Sequence, residues 1–153
     1  MNHPLLELDR VSKSYDVAQG TPHRVLSGLS LHVSAGAGIA IVGPSGCGKT
    51  TLLHIMGLLD TPQEGVVRLR GTDVTALGEE RKAPLRNREI GFVFQFHHLL
   101  PEFSALENVC IPGFIQNKSE SVVRQRAAEL LEYLGLKDRV THKPTELSGG
   151  EQQ

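Results

Sequence analysis

Apolar and polar residues alternate in the first third of the chain, which is the pattern of strands that bury one face. The alternation runs from Leu6 to Val11 and returns at residues 29–33, after a polar stretch rich in turn residues. A strand is also predicted at residues 66–71, after a turn at residues 60–65. Tyr15 follows the first of these strands, and by itself it indicates only an aromatic residue at a strand end.

Two segments are apolar throughout instead of alternating. Residues 39–42 (Ile-Ala-Ile-Val) precede a glycine-rich loop, and residues 90–94 (Ile-Gly-Phe-Val-Phe) end at Gln95. Short apolar runs of β-branched and aromatic residues are typical of strands covered on both faces. Both segments are therefore predicted to be strands, and the first is predicted to be buried.

Three segments have helical patterns. Residues 51–59 predict a helix after the glycine-rich loop, and residues 79–88 predict a charged helix with a solvated face despite Pro84. Residues 119–134 give the clearest pattern, with Ser119 as an N-terminal cap and Gly135 at the end. Its predicted core face shares helical spacing and consists of Val123, Ala127, Leu130, Leu131 and Leu134.

The glycine-rich loop carries the most specific chemistry of the sequence. Its residues are Gly43, Pro44, Ser45, Gly46, Cys47, Gly48, Lys49, Thr50 and Thr51. They match the phosphate-loop pattern, in which glycines let successive backbone N–H groups turn toward phosphate oxygens. In that pattern Lys49 reaches the β- and γ-phosphates, and the Thr50 hydroxyl binds Mg²⁺. The sequence therefore predicts a site for a nucleoside triphosphate.

Composition narrows the class of protein further. The 153 residues carry a formal net charge of −1, which gives no electrostatic argument for binding nucleic acid. Two cysteines, Cys47 and Cys110, do not make a disulfide framework and suit a reducing cytoplasm. No apolar stretch approaches the ~18 residues of a membrane-spanning helix, so any membrane role is expected to come from a partner.

Two further motifs give the chain a family resemblance. Gln95 follows a predicted strand, and Leu147-Ser148-Gly149-Gly150 lies near the end of the sequence. With the phosphate loop, they make essentially the whole chain resemble an ATP-binding cassette (ABC) ATPase. The tetrapeptide resembles the signature motif of that family.

The resemblance implies an α/β fold, that of a P-loop NTPase. It would comprise an ABC ATPase core, an N-terminal antiparallel β subdomain and an α-helical signature subdomain. Residues 1–153 would form one nucleotide-binding domain, with the helical subdomain at roughly 96–153. The C-terminal part of the core would be missing.

The resemblance also implies the site and its partners. Tyr15 corresponds to the aromatic residue that stacks on adenine, and Thr50 and Gln95 correspond to the residues that contact Mg²⁺. Ser148, Gly149 and Gly150 would face the γ-phosphate of ATP held by a second nucleotide-binding subunit, in a head-to-tail dimer. Integral-membrane permease subunits would complete the transporter.

The stretch directly after Gln95, residues 96–109, resembles the ATPase subunits of bacterial lipoprotein-releasing transporters. This implies a position on the cytoplasmic face of the inner membrane, held there by the permease. Three alternatives stay open at this point. They are the ATPase of a macrolide-type exporter, the ATPase of a cell-division complex, and a soluble ABC protein without a membrane partner.

Members of the family carry further catalytic residues after the signature motif. These are an Asp for Mg²⁺, a Glu that polarises the attacking water, and a switch His, and this chain has no residues at those positions. The expectation is that the sequence is a fragment or a truncated gene product. By itself it is expected to hydrolyse ATP only at background rates.

Overall fold

The computed structural model describes residues 4–16 and 22–153. The described residues up to Arg86 form one compact unit, and Asn87–Gln153 form a second. Among the described residues, no helix is long and apolar enough to cross a membrane.

The first unit is built on an antiparallel sheet with the strand order β2-β1-β3-β4. Leu8, at the centre of the sheet, pairs with Leu31 on one side and with Val67 on the other. Leu8 and Val67 are fully buried, so the predicted alternation does place one face of β1 in the core. The strands are β1 (Leu6–Tyr15), β2 (His23–Val33), β3 (Glu64–Leu69) and β4 (Thr72–Asp73).

Two helices accompany this sheet. Helix α1 (Lys49–Met56) follows the glycine-rich loop and buries Leu52 and Ile55, which are three residues apart and share one face. Helix α2 (Glu79–Glu89) contains Pro84, as predicted. The prediction that its charges coat a solvated face is wrong for Lys82, which is only 4% exposed. The Lys82 ammonium donates to the Thr61 hydroxyl at 2.6 Å, which explains how it is buried.

The prediction of strands at residues 39–42 and 90–94 is wrong for this structure. Neither segment is a strand, and Val42 and Val93 are 86% and 81% exposed. A strand exists only where a neighbour completes its ladder of backbone hydrogen bonds, and the four strands described pair only with one another. Apolar β-branched composition indicates a preference for strand conformation, but it does not supply that neighbour.

The second unit is helical among its described elements. Helices α3 (Ala105–Ile115) and α4 (Glu120–Tyr133) pack through a cluster of Cys110, Val123 and Ala127. Two short 3₁₀ turns follow, and then helix α5 (Gly149–Gln152). A second cluster joins Ala105, Leu131 and Leu147. It anchors the start of residues 147–150, the signature segment, to α3 and α4.

The predicted helix at residues 119–134 is confirmed, with corrections to its details. Leu130 and Leu134 are exposed, because the buried face is narrow and includes only every fourth residue from Val123. Ser119 occupies the N-cap position, but its side chain makes no capping hydrogen bond. Gly135 follows the helix with a φ of 76°, a left-handed conformation that suits glycine and confirms the predicted end.

Candidate nucleotide-binding site

The glycine-rich loop curls because two of its glycines adopt left-handed backbone conformations. Gly46 has a φ of 80° and Gly48 a φ of 94°, which other residues adopt only at a cost. Gly48 also lies close to β2. A Cβ atom added there would sit 2.8 Å from Val25 Cγ1 and 3.0 Å from the Val25 carbonyl oxygen. Only glycine fits both the conformation and the space at this position.

Lys49 folds back across the start of the loop. Its ammonium donates to the carbonyl oxygens of Gly43 at 2.9 Å and Pro44 at 2.7 Å. Within the same loop, the Cys47 N–H donates to the Pro44 carbonyl oxygen at 3.4 Å. The positive charge is therefore held at the mouth of a curled backbone, which is the arrangement that attracts a phosphate group.

Helix α1 begins directly at the loop. Its N-cap is Gly48, which has no side chain that could cap the helix. The first N–H groups of a helix have no partner inside it and carry partial positive charge. The exposed Thr50 lies in this first turn and brings a hydroxyl oxygen beside those donors. Backbone donors, an ammonium and a hydroxyl thus meet at one helix N-terminus, which is a suitable site for polyphosphate.

Tyr15 lies beside this helix. Its hydroxyl is 3.5 Å from Thr51 Oγ1 and donates to Asp60 Oδ2 at 3.0 Å. Tyr15 is 42% exposed, and the Lys13 ammonium lies over its ring, 5.3 Å from the centroid. The structure therefore brings Tyr15 and the phosphate loop together in the first unit.

Asp60 connects several of these groups, although no motif in the sequence points to it. Its carboxylate accepts from Lys13 at 2.6 Å and from the Thr61 N–H at 2.7 Å, besides Tyr15. Partial burial acts to raise the pKa of Asp60. Together, the hydrogen bonds from Lys13, Thr61 and Tyr15 outweigh the effect of burial, so the pKa of Asp60 lies below its usual value.

The signature segment forms a different kind of helix start in the second unit. The Ser148 hydroxyl accepts from the Glu151 N–H at 3.3 Å, and the Glu151 carboxylate accepts from the Ser148 N–H at 2.8 Å. This reciprocal pair is a capping box. Arg139 also donates to Glu151, at 3.0 Å. These contacts, led by the Ser148 backbone N–H, lower the pKa of Glu151 to about 2.

Gln95 is exposed in a segment of the second unit that is neither helix nor strand. Its amide oxygen and the Thr50 hydroxyl are both hard oxygen donors, which are the ligands that Mg²⁺ prefers. The described residues contain no cluster of three or more His, Cys, Asp or Glu side chains placed to hold a metal. The Thr50 hydroxyl therefore fits a magnesium ion that completes its shell with phosphate oxygens and water.

Helix α3 was not predicted, although the sequence contains a signal for it. Ser104 and Glu107 have the spacing of a capping box, and the structure shows both of its hydrogen bonds. Asn108 reinforces this helix start by donating to the carbonyl oxygens of Leu100 and Phe103, each at 3.1 Å. The motif was overlooked because apolar residues lie on both sides of it, and such residues are also typical of a core or a partner-binding groove.

Comparison with known proteins assigns the family. The family model described as ABC transporter matches residues 26–153, which include the phosphate loop, Gln95 and the signature segment. The chain belongs to the ABC transporter family. It is 50% identical to the lipoprotein-releasing system ATP-binding protein LolD of Bacteroides fragilis, over 97% of the chain and 67% of that protein. It is 59% identical to the LolD protein of Pseudomonas syringae pv. tomato, over 84% of the chain and 57% of that protein.

Other matches agree on the family and its fold. The chain is 51% identical to the LolD protein of Shewanella oneidensis over its whole length, which corresponds to 66% of that relative. Among solved structures, it resembles the dimeric ATP-binding cassette MJ0796 in a post-hydrolysis state with ADP and Pi. That match has a TM-score of 0.87 and 36% identity, and it covers 96% of the chain and 65% of the solved one. The predicted ABC ATPase fold is confirmed. The chain spans about two thirds of the length of the curated relatives it matches, or less.

Proposed function

We propose that the protein is the ATP-binding and ATP-hydrolysing subunit of a bacterial ABC transporter that releases lipoproteins from the inner membrane. The observation that carries the nucleotide part is the curled loop at a helix N-terminus, with the Lys49 ammonium at its mouth. The lipoprotein part is supported by the three curated relatives described above, all of which bear the lipoprotein-releasing name. These relatives favour this function over macrolide export or cell division.

The phosphate loop and Tyr15 of the first unit, together with Gln95 of the second, have defined roles in this proposal. Backbone N–H groups of the loop residues Gly43 and Ser45 to Thr51 and the Lys49 ammonium bind the phosphates, and the Tyr15 ring stacks on adenine. The Thr50 hydroxyl and the Gln95 amide oxygen would hold Mg²⁺, which when bound would supply charge to offset that of the phosphates. Gly46 and Gly48 support this role, because their left-handed conformations curl the loop.

The residues of the second unit act on nucleotide held by a second copy of the protein. Ser148, Gly149 and Gly150 are exposed at the start of α5. The Ser148 hydroxyl accepts from the Glu151 N–H and donates to the Glu151 carboxylate, so contact with a γ-phosphate oxygen would require its O–H to turn away from Glu151. In a head-to-tail dimer each ATP would be bound by the loop of one subunit and the signature segment of the other.

The transporter would be completed by permease subunits, which hold this protein at the cytoplasmic face of the inner membrane. Apolar side chains after Gln95 are the surface we propose for that contact. Leu100 and Phe103 are 44% and 41% exposed, and Leu99 lines a groove of about 470 Å³ with residues of α3 and α4. The whole chain would be one nucleotide-binding domain, with residues 96–153 as its helical subdomain.

Calorimetric titration with ATP tests the nucleotide site. Lys49→Ala removes the ammonium at the mouth of the loop, and a charge-assisted contact of ~1.5–3 kcal/mol corresponds to roughly a tenfold or larger loss of affinity. Lys118→Ala, which removes the same charge from an exposed position of the second unit, should leave the affinity unchanged. Equal affinities for the wild type and Lys49→Ala would exclude Lys49 from the site.

Fractionation of cell membranes tests the lipoprotein assignment. Replacing the chromosomal gene of the source organism with the Lys49→Ala variant should retain lipoproteins in the inner-membrane fraction. The Lys118→Ala strain should show the normal distribution. If lipoproteins still reach the outer membrane in the Lys49→Ala strain, while a different exported substrate accumulates, the transporter serves that substrate instead.

A further inference from the structure

The turn at residues 60–63 is joined to the end of β1, where Tyr15 lies. Gln63 donates from its backbone N–H to the Ser12 carbonyl oxygen and from its side-chain amide to the Ser14 carbonyl oxygen, both at 3.0 Å. The Ser14 N–H donates in return to the Gln63 amide oxygen. Two segments that are distant in the sequence therefore form one local frame.

Lys82 holds the same turn from α2. Its ammonium donates to the Thr61 hydroxyl at 2.6 Å, and the side chain is nearly fully buried. Lysine is almost never buried without a compensating contact, because removing its charge from water is costly. The position of Thr61, and with it that of the neighbouring Asp60, is thus constrained from two sides.

Within this frame Asp60 binds both the tip of the Tyr15 ring and the cation above it. One carboxylate oxygen accepts from the Tyr15 hydroxyl at 3.0 Å, and the other accepts from Lys13 at 2.6 Å. The Lys13 ammonium in turn lies over the ring, 5.3 Å from its centroid. A single carboxylate therefore fixes the hydroxyl end of the ring and places a cation against one ring face.

We infer that Asp60 is the positioning residue for nucleotide-base stacking, because it orients the Tyr15 ring so that adenine stacks on the face opposite Lys13. This inference rests on the proposed role of Tyr15 in binding adenine. A ring that is already oriented loses less conformational freedom when the base binds, so the affinity is higher. The Tyr15 hydroxyl also lies 3.5 Å from Thr51 Oγ1, which connects the ring to the helix that begins at the phosphate loop.

Comparing ATP with inorganic triphosphate tests the inference, because only ATP carries a base. In calorimetric titrations we expect Asp60→Ala and Tyr15→Phe each to lower the affinity for ATP roughly three- to tenfold, the scale of one lost hydrogen bond. The affinity for inorganic triphosphate should change less than about twofold. The double variant should lose no more than Asp60→Ala alone, since the contact that Tyr15→Phe removes is already absent in Asp60→Ala.

Asp73→Ala is the matched control. The Asp73 carboxylate also accepts a backbone N–H, from Thr75 at 2.9 Å, but it lies in the edge strand β4. Both of its affinities should equal those of the wild type. Thermal unfolding shows whether Asp60→Ala stays folded. If Asp60→Ala does not fold, Tyr15→Phe tests the inference by itself, because it alters only an exposed hydroxyl. An equal loss of ATP and triphosphate binding in Tyr15→Phe or folded Asp60→Ala would overturn the inference.

Two further variants separate this inference from the proposed function. If Lys49→Ala loses triphosphate binding and Tyr15→Ala loses the preference for ATP, the proposed nucleotide site is established. If both of those results are obtained and Asp60→Ala still prefers ATP over triphosphate as strongly as the wild type does, only the inference about Asp60 is overturned. If the wild type binds ATP and triphosphate with equal affinity, both the adenine role of Tyr15 and the inference are overturned. The phosphate site is then tested by the Lys49→Ala result alone.

Discussion

The loop at residues 43–51 and the turn at residues 147–150 both combine glycines with hydroxyl residues at the start of a helix. In the loop, Gly48 has a left-handed backbone and lies so close to Val25 that a Cβ atom would clash. In the turn, Ser148 is an ordinary extended N-cap, and a Cβ atom added to Gly149 or Gly150 would have no neighbour within 4 Å. The two motifs look similar in sequence but have different structural requirements.

This difference indicates what requires the glycines in each motif. The chain itself explains why Gly48 is glycine, because the curl of the phosphate loop depends on it. Nothing within the described chain explains why Gly149 and Gly150 are glycine, since both are exposed and neither has a positive φ. A close approach by another molecule would explain them, and the proposed dimer supplies one: ATP held by a second subunit.

The largest effect that separates the two motifs is expected from Gly48→Ala. The left-handed conformation costs ~1–2 kcal/mol for alanine, and crowding against Val25 adds ~1–3 kcal/mol, so stability should fall by about 2–5 kcal/mol. ATP affinity should fall more than tenfold, because the loop loses its curl. Gly78→Ala is the control, since Gly78 has open space and no positive φ. Thermal unfolding and ATP titration measure both effects, and wild-type behaviour of Gly48→Ala would show that the loop does not depend on this glycine.

Leu147→Ala should produce the next largest effect, because the turn is held by its leucine and not by its glycines. Leu147 is 8% exposed and packs with Ala105 and Leu131. Removing a buried leucine side chain should lower stability by about 2–3 kcal/mol. Leu134→Ala, at an exposed leucine of the same unit, should cost far less. Chemical denaturation gives both values, and equal losses would contradict the proposed anchor.

Gly149→Ala should leave the isolated protein as stable as the wild type, or more stable by up to ~1 kcal/mol, because alanine favours a helix more than glycine does. ATP binding to the single subunit should be unchanged. Association of two subunits in the presence of ATP should weaken, since in the proposed dimer the added methyl group would lie against the partner's nucleotide. Thermal unfolding and sedimentation with ATP distinguish these effects. A destabilised Gly149→Ala monomer would show that the glycine serves the fold after all.

The smallest expected effect concerns the capping box at Ser148. The pKa of Glu151 is lowered from 4.5 to about 2, so the contribution of this carboxylate to stability is present above pH 4.5 and disappears as the pH falls through about 2. Carboxyl-carbon NMR should show this low midpoint. Arg139→Gln should raise it only in part, because the Ser148 N–H is the larger cause. A midpoint near 4.5 would mean that the capping box does not form.

The parts of the site that depend on local sequence were predictable. The phosphate loop, β1 and the end of α4 at Gly135 each follow from neighbouring residues, since turn glycines and alternation act over a few positions. Asp60 was not predicted, because its contacts with Lys13 and Tyr15 cross more than 40 positions of sequence. Only the folded sheet brings the turn after α1 to the end of β1.

The wrong predictions share one cause. Residues 39–42 and 90–94 were predicted to be strands on composition alone, but a strand also needs a hydrogen-bonded neighbour. Leu130 and Leu134 were predicted to be buried on helical spacing alone, but burial also needs a surface that covers them. In each case the pattern gave the preference of the segment correctly and gave no information about its neighbours.

Alkylation of the two cysteines tests most directly whether nucleotide binds in the phosphate loop. Cys47 lies exposed in the loop, whereas Cys110 is buried in the second unit and has a pKa raised by desolvation. In a maleimide pulse followed by peptide mapping, Cys47 should react faster than Cys110. ATP should slow the reaction of Cys47 and leave Cys110 unaffected. A Cys47 rate that is the same with and without saturating ATP would contradict the proposed site.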